Sequence, residues 1–223
     1  MDYAIVPAYN EEKNIYEVVS RLRKLGFKVI VVDDGSKDRT YELAMKAGAV
    51  VLRHKVNKGK GEALRTAFRY ARKKNLKNIV IIDADLQYLP EEAKNLLKPI
   101  KSGEADFVIG FRNWKEVPFR HKIGNFLWRK AFNFLFGVNL RDTNCGFMAF
   151  GEKAIKKVKN IHGGYIIENS ILADVIKNNL RIKQIPVKVF YHRISKIPRG
   201  IKVVLGVLIF ILIEGIKYRL SKL

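Results

Sequence analysis

Up to about residue 110 the chain alternates between two hydrophobic periods. Short runs of apolar and β-branched residues at Tyr3–Val6, Val29–Val32, Val50–Leu52, Ile79–Ile82 and Phe107–Ile109 predict strands. Between them Glu12–Leu25, Arg39–Ala47, Glu62–Lys74 and Glu91–Ile100 carry helical spacing, and Ser36, Asp38 and Pro90 supply helix-start chemistry. Strand and helix in alternation predict an α/β fold around a central, mostly parallel sheet. A length of 223 residues suits one core with an appendage.

The second half reads differently. Phe119, Ile123, Phe126, Leu127, Ala131, Phe134 and Leu135 recur on one face of a helix, with Arg120, Lys122, Asn125, Arg129 and Asn133 on the others. Such a helix suits core packing or a membrane surface. A last strand is expected at Val187–Tyr191. Val203–Ile213 is then eleven residues without a polar side chain, short of the ~18–20 that span a bilayer. Residues 181–223 hold ten Lys/Arg against the single acid Glu214, so insertion and attraction to anionic lipid would act together there. The expected division is a catalytic domain over 1–196 and a membrane-associating C-terminal segment over 197–223. A buried terminal helix or a dimer contact is the alternative for that segment.

Charge narrows the partners. Lys and Arg number 43 against 21 Asp and Glu, a net charge of +22, which suits nucleic acid, an anionic membrane or a phosphorylated substrate. The single cysteine, Cys145, excludes an internal disulfide framework and a cysteine-rich zinc site. Met1-Asp2 leads straight into a strand pattern without a secretory leader, and a reducing cytosolic setting is expected. The histidines His54, His121, His162 and His192 lack metal-ligand spacing and read as incidental.

Chemistry concentrates where predicted strands end. In Ile79-Val80-Ile81-Ile82-Asp83-Ala84-Asp85-Leu86-Gln87-Tyr88 a buried strand runs into two carboxylates one residue apart. Strand alternation lets Asp83 and Asp85 face the same way, as hard divalent cations require of oxygen ligands. Three further segments join them: Val6-Pro7-Ala8-Tyr9-Asn10-Glu11, Val32-Asp33-Asp34-Gly35-Ser36 and Asn57-Lys58-Gly59-Lys60-Gly61-Glu62-Ala63. The last is no P-loop, because the Walker spacing and its terminal Ser/Thr are absent. Tyr9 can flank a nucleobase, Asp34 can accept from its N–H edge, and Lys60 can reach a phosphate. An ordinary turn with a helix cap is the plain alternative for Asp33-Asp34-Gly35-Ser36.

As a set, these segments resemble family 2 glycosyltransferases of the GT-A fold over roughly the first 115 residues. Ile109-Gly110-Phe111-Arg112, Asp142-Thr143-Asn144-Cys145-Gly146-Phe147 and Gly164-Tyr165 are similar to the branch that makes polyprenyl-phosphate sugars, the dolichyl-phosphate mannose and glucose synthases, to about residue 196. The resemblance implies a nucleotide pocket that includes Pro7, Glu11, Val32 and Ala84. It implies Mg2+ or Mn2+ held by Asp85 and Gln87, with Asp83 nearer the ribose or a metal water. It places Arg112, Arg120, Arg129, Arg193 and Lys196 around an acceptor phosphate. Asn144 and Cys145 depart from the mannose-synthase pattern toward the glucose type, leaving the sugar open. Glu168 either orients a base or stabilises its helix. Cys145 reads as a small buried residue.

The function expected is transfer of a hexose with inversion from GDP- or UDP-hexose to polyprenyl phosphate at the cytosolic membrane face. Asp85 and Arg112 carry the chemistry, and no side chain acts as general base. One alternative is a family 2 transferase with a sugar-hydroxyl acceptor, for which Asp142 is the nearby base. From other classes come a basic nucleic-acid-binding protein, which the apolar company of the cations disfavours, and a non-catalytic partner on the same fold, which the intact Asp83, Asp85 and Gln87 disfavour.

Overall fold

A computed structural model describes residues 1–113, 119–190 and 201–222, excepting the side chains of 119–123 and 201–202. The first half follows the predicted alternation closely. Strands β1 (Asp2–Ala8), β2 (Lys28–Asp33), β3 (Val50–Arg53), β4 (Asn78–Ile81) and β5 (Phe107–Arg112) alternate with helices α1 (Ile15–Lys24), α2 (Thr40–Lys46), α3 (Lys60–Lys73) and α4 (Ala93–Lys101). Then come α5 (Phe119–Phe136), β6 (Met148–Gly151), α6 (Glu152–Lys157), α7 (Ile167–Lys177), β7 (Ile182–Val187) and α8 (Ile201–Leu220).

Among the described residues seven strands form one sheet in the order β3-β2-β1-β4-β6-β5-β7. The pairs β1/β2, β1/β4, β2/β3 and β5/β7 are parallel, whereas β6 runs antiparallel to both β4 and β5. The carboxyl ends of β1, β2 and β4 and the amino end of β6 therefore share one edge. Helices cover both faces, so the strands are continuous apolar runs, as in Ala4-Ile5-Val6 and Ile79-Val80-Ile81, each residue fully buried.

Three expectations change. Sequence reading missed β6, because Met-Ala-Phe-Gly is too short and too uniformly apolar to show a period. The last strand lies at Ile182–Val187 and not at Val187–Tyr191; beyond it Val189 makes only a single bridge to Tyr88. Pro186 argues against a strand by its missing N–H, yet β7 pairs on one side only, with β5, and an edge tolerates it. On α5 the inward face carries Asn125, Trp128, Phe132 and Phe136, while Phe126 and Phe134 of the predicted apolar face, which suited core packing or a membrane surface, are 48% and 78% exposed. This helix is apolar on two sides, so periodicity alone could not choose the buried one.

α8 packs along α5. Val207 and Ile211 are buried, and Trp128 Nε1 donates to the Val204 carbonyl at 3.1 Å. Arg219 donates to the carbonyls of Leu135 at 2.8 Å and Phe134 at 2.6 Å, and Lys177 pairs with Glu214 at 2.5 Å. The domain boundary expected at residue 196 lies outside the described residues.

Candidate active site

Two loops at the shared edge are stapled together before any ligand is considered. Tyr9 leaves β1 into Asn10, whose φ of +54° is left-handed. Asn10 N donates to Ser36 Oγ at 2.9 Å and Glu11 N to Thr40 Oγ1 at 2.8 Å. Ser36 N in turn donates to Asp33 Oδ1 at 2.9 Å, and Arg53 Nε sits 3.0 Å from Asp33 Oδ2. The Asp-Asp-Gly-Ser turn thus serves the β1 loop as well as itself.

These loops, the Asn57–Lys60 loop and the end of β4 enclose a cavity of about 330 Å³. Of the predicted nucleotide residues, Pro7, Tyr9, Glu11, Asp34, Lys60, Asp83, Ala84 and Asp85 line it. Val32 does not; it is fully buried and pairs with Pro7 across β1 and β2, supporting the wall from behind. Gln87 is also outside the lining, its N–H donating to Asp85 Oδ1 at 3.0 Å. The structure adds Ala8, Asn57, Gly59 and Ala63. All four lie in segments already marked in sequence, but Ala8 and Ala63 carry no functional group of their own, and the Asn57 amide oxygen accepts from Gly59 N at 3.1 Å.

The cavity floor is acidic within a basic protein. Asp83 and Asp85 lie together after β4, separated from Gln87 by Leu86 with a left-handed φ of +58°. Burial first, and then the charges of Asp83 and Glu11, push the Asp85 carboxyl up to about 6. Burial also raises Glu11, with Asp83 and Asp38 adding to it. Lys60 is the internal counter-charge: its Nζ is 2.7 Å from Asp83 Oδ1 and 3.6 Å from Glu168 Oε1. Burial alone would lower it, but Asp83 and Glu168 outweigh that and hold the ammonium above its ordinary value. Glu168 therefore belongs to the electrostatics of the site.

Gly146 explains how the Asp142–Phe147 segment comes so close. A Cβ there would lie 2.8 Å from Asp83 Oδ2 and 3.3 Å from Lys60 Nζ. The Tyr88 hydroxyl accepts from Gly146 N at 3.3 Å and holds it in place. Cys145 is fully buried, and burial, then Asp142, pushes its thiol up to about 12, which suits packing and not nucleophilic work.

The donor set fits a hard divalent cation. Mg2+ and Mn2+ take one or two carboxylates and complete their shells with water and substrate phosphate. Among the described residues no three His, Cys, Asp or Glu side chains gather as a self-sufficient metal site. Asp83 and Asp85 have that two-carboxylate character, and Asp85, raised first by burial and then by the charge of Asp83, is a carboxylate whose ionised form a cation would stabilise.

Of the five cations expected around the acceptor phosphate, the side chains of two, Arg112 and Arg129, are described. Arg112 is buried, with Nε 2.7 Å from Asp142 Oδ2 and Nη2 2.9 Å from Asp142 Oδ1. Two of its three guanidinium nitrogens are thus committed to a carboxylate, so it is a brace before it is a phosphate clamp. Arg129, on α5, stands over the Phe126 ring at 5.6 Å. Arg120 lies in the first turn of α5 with its side chain outside the described part, and Arg193 and Lys196 lie outside the described residues altogether. His54, read as incidental, is bonded to Asp34 at 2.7 Å.

Fold and site define an α/β protein with a cavity at its strand ends and a paired-carboxylate centre. The profile of Glycosyl transferase family 2 matches residues 3–161, and the chain belongs to that family. It is a glycosyltransferase. Among its relatives, a UDP-N-acetylglucosamine–dolichyl-phosphate N-acetylglucosaminyltransferase of Methanococcus voltae is 32% identical, covering 93% of this chain and 92% of that protein. A dolichol-phosphate mannosyltransferase of Pyrococcus furiosus is 30% identical over 98% of this chain and 63% of its own length. Glucosyl-3-phosphoglycerate synthase of Mycobacterium tuberculosis, solved with Mn2+ and UDP, superposes with a TM-score of 0.76 at 23% identity, covering 98% of this chain and 79% of that one. This last likeness is one of fold.

Proposed function

We propose that the protein transfers a hexosyl group from a nucleotide-sugar to a polyprenyl phosphate at the cytosolic face of a membrane. The relatives named for dolichyl phosphate support the acceptor class. The single observation that favours a phosphate over a sugar hydroxyl is the state of Asp142. A hydroxyl acceptor needs a base, and the carboxylate available for that role is 1% exposed and held bidentately by Arg112.

A phosphate acceptor needs no base. A phosphate monoester's second ionisation falls near pH ~6, so at neutral pH its oxygen is already a nucleophile. That oxygen forms a bond to the anomeric carbon from the face opposite the donor oxygen. The bond to the diphosphate breaks, and the nucleoside diphosphate leaves with the electron pair, inverting the carbon. Tyr9, 40% exposed at the cavity, would flank the base, and Asp34 would meet its N–H edge. Lys60 approaches the diphosphate from the α3 N-terminus. Mg2+ or Mn2+ held by Asp83 and Asp85, with Gln87 as the further oxygen ligand, would neutralise charge on the departing diphosphate.

The membrane part of the reading rests on an apolar surface shared by two helices. Phe126, Leu127 and Phe134 of α5 and Leu205, Ile209 and Ile216 of α8 are all exposed. Among the described residues no helix is long and apolar enough to cross a membrane, so attachment would be along the interface, aided by the +22 charge. Incubation with a panel of GDP- and UDP-sugars, Mn2+ and polyprenyl phosphate, followed by mass analysis of the lipid, tests the function. One glycosyl-phosphate lipid is expected, with free polyprenol left untouched. A glycosylated polyprenol or free sugar in its place would overturn the acceptor assignment.

A further inference from the structure

We propose that His54 is a positioning residue for nucleotide recognition, fixing the orientation of Asp34 and thereby the affinity for the nucleobase. The assignment rests on the nucleotide-sugar reading above. His54 follows β3, its N–H donating to the Asp33 carbonyl at 2.9 Å. Its side chain is 9% exposed and that of Asp34 4%. His54 Nδ1 lies 2.7 Å from Asp34 Oδ1, and Nε2 lies 2.9 Å from Thr66 Oγ1 on α3.

The direction of the chain follows from what each group can donate. Arg69 Nη2 donates to Thr66 Oγ1 at 2.9 Å while also bonding Glu62 at 2.9 Å. The carboxylate of Asp34 can only accept, so the imidazole hydrogen sits on Nδ1 and is donated to it. The Thr66 hydroxyl, which accepts from Arg69, keeps its own proton and can give it to the bare Nε2. The order is Arg69, Thr66, His54, Asp34, from the surface inward.

Asp34 Oδ2 also accepts from Gly59 N at 2.7 Å, and Lys58 N is shared between Oδ1 at 3.0 Å and Oδ2 at 3.2 Å. A carboxylate has about four acceptor positions. Three protein donors, one of them bifurcated, leave room for a further donor at the cavity that Asp34 lines. A nucleobase imide or amide N–H is the donor that completes it. Without His54 the carboxylate would still hold the Lys58–Gly59 turn, and so Lys60, but the group as a whole would lose the side-chain bond that fixes its rotation and would be less firmly oriented. The loss should therefore fall on the base and not on the diphosphate.

The test compares His54→Ala and His54→Asn, whose amide can stand in for Nδ1–H, with the wild type. Affinities for UDP, GDP and inorganic pyrophosphate are measured calorimetrically with Mn2+, and KM and kcat with the preferred nucleotide-sugar. Expected for His54→Ala is about tenfold weaker binding of the preferred nucleoside diphosphate, the size of one lost hydrogen bond to a charged group. KM should rise in step, kcat should stay within about threefold and pyrophosphate affinity within about twofold, with His54→Asn recovering most of the loss. Thr66→Val, which removes only the outer link at constant shape, should show a weaker version of the same pattern and serves if His54→Ala does not fold. Unchanged nucleotide affinity, an equal loss for pyrophosphate, or no recovery by His54→Asn overturns the assignment. A wild-type protein that binds pyrophosphate but neither UDP nor GDP overturns the nucleotide-sugar reading itself.

Discussion

Arg112 and Asp142 hold each other through two parallel bonds of 2.7 and 2.9 Å, and Arg112 N adds a third contact to the same carboxylate at 3.2 Å. Asp142 Oδ1 also accepts from Asn144 N at 3.0 Å. Asn144 extends the network to Asn125 at 3.2 Å and Asn169 at 2.6 Å. One ion pair therefore ties β5 to α5, α7 and the segment that brings Gly146 against Asp83.

Removing either partner leaves a buried charge unmatched. Arg112→Ala and Asp142→Asn should each destabilise the protein by about 3–5 kcal/mol in denaturant unfolding. Arg112→Lys should restore little, since an ammonium cannot make the two parallel bonds. If Arg112→Ala unfolds like the wild type and loses only turnover, Arg112 acts as a phosphate clamp and not as a brace.

Asp85→Asn removes a charge at nearly constant volume. Turnover should fall to background, because Asp85 is the foremost proposed metal ligand. The same change relieves repulsion from Asp83 and Glu11, so the melting temperature at pH 7.5 without metal should rise. Full activity in this variant, or wild-type activity in excess chelator, would remove the metal from the mechanism.

The raised Asp85 also fixes the sign of a pH dependence. Its folded-state value of about 6 exceeds the ordinary 3.8, so between those limits the folded protein holds more protons than the unfolded chain. This contribution to stability is present at low pH and fades as pH rises through about 6. Mn2+ should reverse the trend by binding the ionised pair. Thermal melts should show a larger Mn2+-induced rise at pH 7.5 than at pH 5, and equal rises would separate Asp85 from the metal.

Gly146→Ala tests the close approach beneath the cavity. The added methyl would press on Asp83 Oδ2 at 2.8 Å and on the mobile end of Lys60 at 3.3 Å. Mn2+ affinity and kcat are expected to drop about tenfold or more, with a stability loss of about 1–3 kcal/mol. Calorimetric Mn2+ binding at the wild-type level would show that the segment yields freely.

Deleting residues 200–223 removes a helix that covers Trp128 and contributes buried Val207 and Ile211. The truncated protein is expected to aggregate or melt far earlier, so truncation is a poor test of membrane binding. Replacing Phe126, Leu127, Phe134 and Ile209 by Ser should leave the melting temperature near wild type and abolish flotation with anionic liposomes. Undiminished flotation would place the attachment elsewhere.

Where a physical signal is local, the amino-acid sequence determined the outcome. Apolar runs bounded by turn residues located β1 to β5 to within a few residues, since all of them but the edge strand β3 are largely buried on both faces and show it in composition. Carboxylates and glycines after those runs marked the cavity, because a parallel sheet gathers the ends of its strands on one edge. What depends on a partner distant in the chain had to await the tertiary structure. The Arg112–Asp142 pair spans 30 positions and the His54–Thr66 bond 12, and neither arginine nor histidine announces in sequence whether its partner will be substrate or protein. The inner face of α5 was likewise settled only in the tertiary structure, where Trp128 meets Val204 and Phe136 stacks on Tyr218 of α8 while Phe126 and Phe134 stay exposed. Periodicity measures how unequal two faces are, and it cannot rank two faces that are alike.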